Sequence, residues 1–221
     1  MTRGEGTMNP FKLGVMSEAF RLGVDGGIRK AAELGVQGVQ IYALVTSHIG
    51  VVPEDRTHPI WRELQSVLGR LGEYGRKTGV TYAVETGPEP AVVLKALLDS
   101  VQGVGVNFDP ANLVMVAGDD PVAGVRTLKE YIVHTHAKDG VMLRHVNPCE
   151  IYGNAETPAG DGPSYIEVLL GHGSVDFSGW LIALKEIGYG GFLTIEREVG
   201  DHPEEDIRIA IDFLKNTMRK L

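Results

Sequence analysis

The sequence predicts an α/β fold built on a parallel sheet, and three observations predict it. Short β-branched runs alternate with stretches of helical periodicity. The runs are apolar almost throughout, the habit of strands covered on both faces by helices. Glycine punctuates them, at 29 of 221 residues, about twice its usual share of roughly 7%.

Each element follows in order. FKLGVM, beginning at Phe11, is a first strand, and Ile28, Ala31, Ala32 and Leu34 mark a helical face closed by Gly35. Val36 to Val52 is roughly three times a typical strand of about 5–6 residues and reads as two strands run together. From Pro59 to Gly79, the spacing of Trp61, Leu64, Leu68, Leu71 and Tyr74 predicts a helix. VTYAVE closes on Glu85 and precedes a helix over PAVVLKALLDS. GVGVNFD closes on Asp109, and the helix DDPVAGVRTLKEY follows with Pro121 in its first turn. A strand spans Tyr131 to Lys138, and FSGWLIALKEIGY is a helix. GGFLTIE, closing on Glu196, is the last strand, and PEEDIRIAIDFLKNTMRKL is an amphipathic final helix. Between Gly140 and His172 lies a Gly-, Pro- and Asn-rich stretch without period. It far exceeds the roughly 12–15 residues of ordinary ordered loops, and its Tyr152 and Tyr165 are placed to cover a ligand.

Composition narrows the function classes. Hydrophobic residues at 43% and charged residues at 23% describe a soluble globular chain. A net charge of −8 gives no broad basic field for nucleic acid. No run reaches the roughly 18 apolar residues of a membrane span. MTRGEGTMNPFK contains no apolar run, so no secretory signal is expected. Cys149 is the one cysteine, which removes disulfides and multi-cysteine zinc sites and fits a reducing, cytoplasmic setting. Nucleotide-binding GxGxxG and GxxxxGK[ST] signatures are missing. Six clear strands leave a flavodoxin-like sheet and a (β/α) barrel open, although a complete eight-stranded barrel usually needs about 250 residues.

The chemistry sits where strands end. Glu85, Asp109 and Glu196 close three strands, and His136 lies near the end of a fourth. The C-terminal strand ends of a parallel α/β sheet share one face, so these side chains are expected to converge. Three carboxylates and an imidazole suit one divalent cation, Mn²⁺, Mg²⁺ or Co²⁺ ahead of Zn²⁺ or Fe²⁺. A lone acid after a strand more often caps a helix, and Asp109 before Pro110 fits that role too. His134 and His136 face one side of their strand, as does Lys138, which is placed to bond a substrate oxygen. His48 ends its own strand and is a second candidate substrate contact.

The phrases THIGVVPED, ETGPEP, NFDPANLVM, HTHAKDG and GSVDFSGWLIALKEIGYGGFLTIERE resemble the xylose-isomerase-like TIM-barrel family of sugar isomerases and epimerases. The resemblance runs from about Lys12 to the C-terminus. It implies a (β/α) barrel with a divalent metal on Glu85, Asp109, His136 and Glu196. It further implies that Glu85 and Glu196 are the catalytic pair, moving a proton through a metal-stabilised enediolate. Asn112 stands where many sugar epimerases of the family carry histidine, altering one substrate contact. IYA resembles the end of the family's second strand and LVTSHIG its fourth. A strand and two helices are therefore missing near Leu44–Val45, leaving six clear βα units and a barrel short of about two strands.

The expected organisation is a disordered tail over residues 1–10 and a single barrel domain over 11–221. The expected activity is metal-dependent isomerisation or epimerisation of a sugar or sugar phosphate, by a chain that associates with itself and binds neither nucleic acid nor membrane. An inosose-dehydratase-like lyase on the same metal is the alternative. A degenerate barrel without catalysis follows, since lost strands leave unpaired edges. A phosphodiesterase resembling endonuclease IV ranks last, because it needs more histidine ligands and a basic groove.

Overall fold

A computed structural model describes residues 9–41, 46–152 and 162–221. Most of the expected tail, the Leu44–Val45 junction and the middle of the long loop lie outside the described residues. The chain runs β1 (Lys12–Met16), a 3-10 turn (Ser17–Phe20), α1 (Gly23–Glu33), β2 (Gly38–Gln40), β3 (Thr46–Ser47), α2 (Pro59–Thr78) and β4 (Tyr82–Glu85). It continues through α3 (Ala91–Leu98), β5 (Val104–Phe108), α4 (Pro110–Asn112), a π turn (Leu113–Ala117), α5 (Pro121–Leu128) and β6 (Ile132–Ala137). Then come β7 (Asp139–Met142), α6 (Pro148–Ile151), β8 (Tyr165–Val168), α7 (Phe177–Glu186), β9 (Phe192–Ile195) and α8 (Pro203–Met218).

Seven strands form one parallel sheet in the order β2-β1-β9-β6-β5-β4-β3. The last strand pairs with the first, Val15 opposite Ile195, as in a barrel. The stretch Val36–Val52 divides into β2 and β3, as its length predicts. Residues 41–45, which join them, fall short of the roughly 10–12 that a βαβ crossover needs. Among the described residues the sheet has seven strands, not the six expected, so it is one strand rather than about two short of the eight of a complete barrel. Among the described residues β2 and β3 are the two ends of the sheet.

The core lies between sheet and helices, with Val15, Val84, Val106, Phe108, Leu193 and Ile195 buried against Leu94, Leu97, Leu128, Trp180, Leu184 and Leu214. Two helical faces differ from their periodicity. On α2, Trp61 and Leu68 are buried as expected, but Tyr74 is exposed, and Gly72 and Gly75 complete the buried face. A Cβ on Gly72 would stand 1.9 Å from the Gln102 carbonyl oxygen, so backbone contact displaces the aromatic stripe. On α1, Ile28 is exposed while Gly27 and Ala31 face inward, because a Cβ on Gly27 would lie 2.5 Å from the Ser17 carbonyl oxygen.

The long loop also carries structure. β7 and β8 pair antiparallel, with Asp139 opposite Val168 and Met142 opposite Tyr165. Asp139 fastens this hairpin by accepting the N–H groups of Gly140, Gly171, Gly173 and Val175.

Candidate active site

Four strand ends bring the expected residues together. Glu85 ends β4, Asp109 follows β5, His136 lies in β6 and Glu196 follows β9. Register does this: β6 and β9 pair with His136 opposite Thr194, and Glu85 stands opposite Asn107. One ligand-type atom from each of the four residues lies within 4.8 Å of the other three. His136 Nδ1 is the hub, at 3.3 Å from Glu85 Oε1, 3.6 Å from Asp109 Oδ2 and 3.1 Å from Glu196 Oε2.

Asp109 unites its two expected roles. Its Oδ1 accepts the N–H groups of Ala111 and Asn112, capping α4. Its Oδ2 is fully buried, points to the cluster and has no hydrogen-bond partner. An orphaned carboxylate oxygen beside two further carboxylates and an imidazole nitrogen is a donor set that could hold a divalent cation.

Electrostatics without an ion show what the cluster balances. Burial pushes the Asp109 carboxyl above its ordinary pKa, partly opposed by His136 and Lys138. Burial acts against the His136 imidazolium, but the Glu196 and Glu85 carboxylates outweigh it and raise its pKa well above the usual value. Burial likewise opposes ionisation of Glu196, yet the charges of His136 and Lys138 hold its carboxyl below the ordinary range. Burial lowers His134 to about 4, with His136 adding repulsion, so His134 is neutral at pH 7.

The expected substrate contacts line one cavity of about 800 Å³ above the cluster. Asn112 donates from Nδ2 to Glu85 Oε1 at 3.4 Å and to the Thr86 carbonyl at 3.2 Å, so it orients that carboxylate. Lys138 is buried and donates to Glu196 Oε2 at 3.2 Å and to Glu198. His48 lies 3.9 Å from Glu85 Oε1 and packs edge-on against Tyr152, with ring centroids 5.2 Å apart. Gly87 makes room for that pair, since a Cβ there would meet the Tyr152 hydroxyl at 2.9 Å. Tyr152 and Tyr165 both line the cavity.

Three contributors escaped the sequence reading. Gln40 ends β2 and accepts at Oε1 from the ring nitrogens of His134 and His136. Asn107, two residues before Asp109 on β5, places its side-chain amide 3.1 Å from His136 Nε2, the nitrogen that also faces Gln40. The strand-end and period-two rules that found the acids would have found both. Glu89 is buried and accepts the Val52 N–H at 3.2 Å, tying the segment that follows His48 to the β4–α3 loop. Arg197 is half-buried between Glu167 and Asp206, at 2.7 and 2.8 Å.

Residues 13–217 match the family described as xylose isomerase-like TIM barrel. The chain belongs to that family. Among curated proteins, this xylose isomerase-like barrel is 24% identical over 175 residues to an inosose dehydratase of Lacticaseibacillus casei, covering 76% of the chain and 57% of the relative. Among solved structures it is 32% identical to a xylose isomerase domain protein of Planctomyces limnophilus (TM-score 0.63, covering 79% of the chain and 58% of that one). The chain thus spans under two thirds of the length of both. A D-tagatose 3-epimerase-like protein, 17% identical with TM-score 0.64, shares the fold over 95% of this chain and 99% of its own. No described helix is long and apolar enough to cross a membrane.

Proposed function

We propose that this barrel is a divalent-metal-dependent isomerase or epimerase of a ketose. The observation that carries this reading is the convergence of Glu85, Asp109, His136 and Glu196 within 4.8 Å at the C-terminal strand ends of a parallel sheet. Asp109 and His136 would hold the ion, with Glu85 and Glu196 completing its shell, and Mn²⁺, Mg²⁺ or Co²⁺ fits the oxygen-rich set best. When bound, the ion draws charge from a ketose carbonyl and its neighbouring hydroxyl, which eases loss of the adjacent C–H proton.

The chain's own residues do the rest. Glu196, held ionised by His136 and Lys138, is available as a base at neutral pH. Glu85, oriented by Asn112, stands across the cluster and returns a proton to the opposite face or the neighbouring carbon. Lys138 and His48 bond sugar oxygens, and Tyr152 and Tyr165 cover the ring and exclude water. Solvent deuterium should enter the ketose α-carbon only when metal is present. Glu85→Gln and Glu196→Gln should each slow exchange by about 10²–10⁴-fold. Undiminished exchange in both amides, or none from wild type with any of the three ions across a ketose panel, would rule the reading out.

The inosose dehydratase relative motivates a second reading, a lyase in which the same proton abstraction is followed by expulsion of a hydroxyl. Release of water from a keto-inositol, without epimerised product, would select it.

A further inference from the structure

We propose that the cavity accepts an uncharged polyhydroxy ketone and rejects its phosphate ester, and that Glu198 enforces the choice by occupying Lys138. This rests on the reading of the cavity as a ketose site and specifies which ketoses enter.

Phosphate recognition needs positive groups whose hydrogens are free to turn toward the ligand. Lys138 and Arg197 are the lysine and arginine that line the cavity among the described residues. Lys138, with a side chain 6% exposed, is bound to Glu196 and Glu198. Arg197 is bound to Glu167 and Asp206. Arg21 donates to the Glu198 carbonyl and lines an adjoining hollow with Glu18, Glu196 and Glu198. Of the undescribed residues, 42–45 and 153–161 contain no lysine or arginine, and 1–8 contain only Arg3.

The backbone positions that serve phosphate in barrels are occupied by carboxylates at α3, α4 and α7, and the uncapped N-terminus of α8 is faced with acidic side chains. Such sites use the loops after the last strands and a helix N-terminus. Here Asp109 caps α4, Asp176 accepts the Gly179 N–H in α7, and the first turn of α8 carries Glu204, Glu205 and Asp206. The Ala91 N–H opening α3 is given to Asp119. A phosphate dianion seeking a lysine or arginine side chain of this cavity would have to displace a carboxylate. Hydroxyl groups can share these ion pairs, and Met16, Ile151 and Tyr152 offer an apolar wall to the C–H face of a sugar.

Glu198 is the discriminating residue because its side chain is 63% exposed, whereas Glu196 belongs to the cluster. Changing it to an amide frees one lysine charge without opening the core.

The test is calorimetric titration, with Mg²⁺ present, of D-fructose, D-fructose 6-phosphate and inorganic phosphate into wild type, Glu198→Gln and Glu198→Gln/Lys138→Met. The ester should bind wild type at least about tenfold more weakly than the free sugar, a gap that widens as salt is lowered. Glu198→Gln should close it by about tenfold, and the added Lys138→Met should restore it. An ester that binds wild type as tightly as the sugar, or a ratio unmoved by Glu198→Gln, overturns the proposal. If neither sugar binds, the ketose reading fails separately, and inorganic phosphate decides this one. Retention by Glu198→Gln but not by wild type supports it, and any other pattern overturns it.

Discussion

Gln40 Oε1 stands 3.2 Å from His136 Nε2 and 2.8 Å from His134 Nε2. One side chain at the end of β2 therefore receives the rear nitrogen of the imidazole whose Nδ1 faces three carboxylates. With Nε2 protonated, the Nδ1 lone pair is left for an ion, and the ring cannot turn without losing this bond. Gln40→Leu should weaken Mn²⁺ binding by about 10–100-fold, the usual effect of removing such a partner. Gln40→Glu, which keeps the acceptor, should bind closer to wild type. Titration calorimetry reads both, and equal affinity in the leucine variant would show that the ring needs no such support.

Glu89 gives the fold a pH dependence of its own. Burial raises its carboxyl to about 8, although the Val52 N–H favours the ionised form. The unfolded chain releases this proton near the ordinary value of about 4.3. Between those values the folded state holds the extra proton. Stability from this group is thus complete at acid pH and is lost as pH rises toward 8, by at most about 1.4 kcal/mol per unit. Glu89→Gln should flatten that slope in denaturant melts taken from pH 5 to 8. An unchanged slope would mean the carboxyl is ionised in the folded protein.

Asp139 holds the hairpin over the cavity through four backbone N–H groups, two on each oxygen. Asp139→Ala would leave several donors unsatisfied in a site that is fully buried. A loss of about 2–4 kcal/mol is expected, with Asp139→Asn between it and wild type because one acceptor oxygen remains. Chemical unfolding measures this. A loss below about 0.5 kcal/mol, as at ordinary surface positions, would mean that the clamp is redundant.

The site was more legible in the sequence than the fold around it, and for a physical reason. Glu85, Asp109 and Glu196 each close a short β-branched run, and in a parallel sheet that position alone fixes which face they share. The hairpin gave no such signal. Its strands are separated by the whole of residues 143–164, and Tyr165 and Ile166 are exposed, so neither alternation nor a short turn marked the pair. Tyr74 and Ile28 misled because their helices approach neighbouring backbone through Gly72 and Gly27. Periodicity counts apolar side chains and is blind to a face built from their absence. The division into β2 and β3 was legible, since a run as long as Val36–Val52 exceeds one strand.

The cluster should also separate stability from function. Asp109 is completely buried with a raised pKa and one unpartnered oxygen, so the metal-free fold gains little from its charge. Asp109→Asn keeps an oxygen to cap α4 and removes the burden of burying an anion. The metal-free variant is expected to melt no lower than wild type, within about 1 °C per 0.3–0.5 kcal/mol for a chain of this size. Wild type in Mn²⁺ at about 100 times its Kd should gain about 2.7 kcal/mol, or roughly 5–10 °C. The variant should lose most of that gain, because Asp109 Oδ2 is the oxygen with no other partner. Calorimetric scans with and without Mn²⁺ supply all four melting points. A variant that falls apart without metal would give Asp109 a structural role instead, and one that keeps the full Mn²⁺ shift would remove it from the ion's shell.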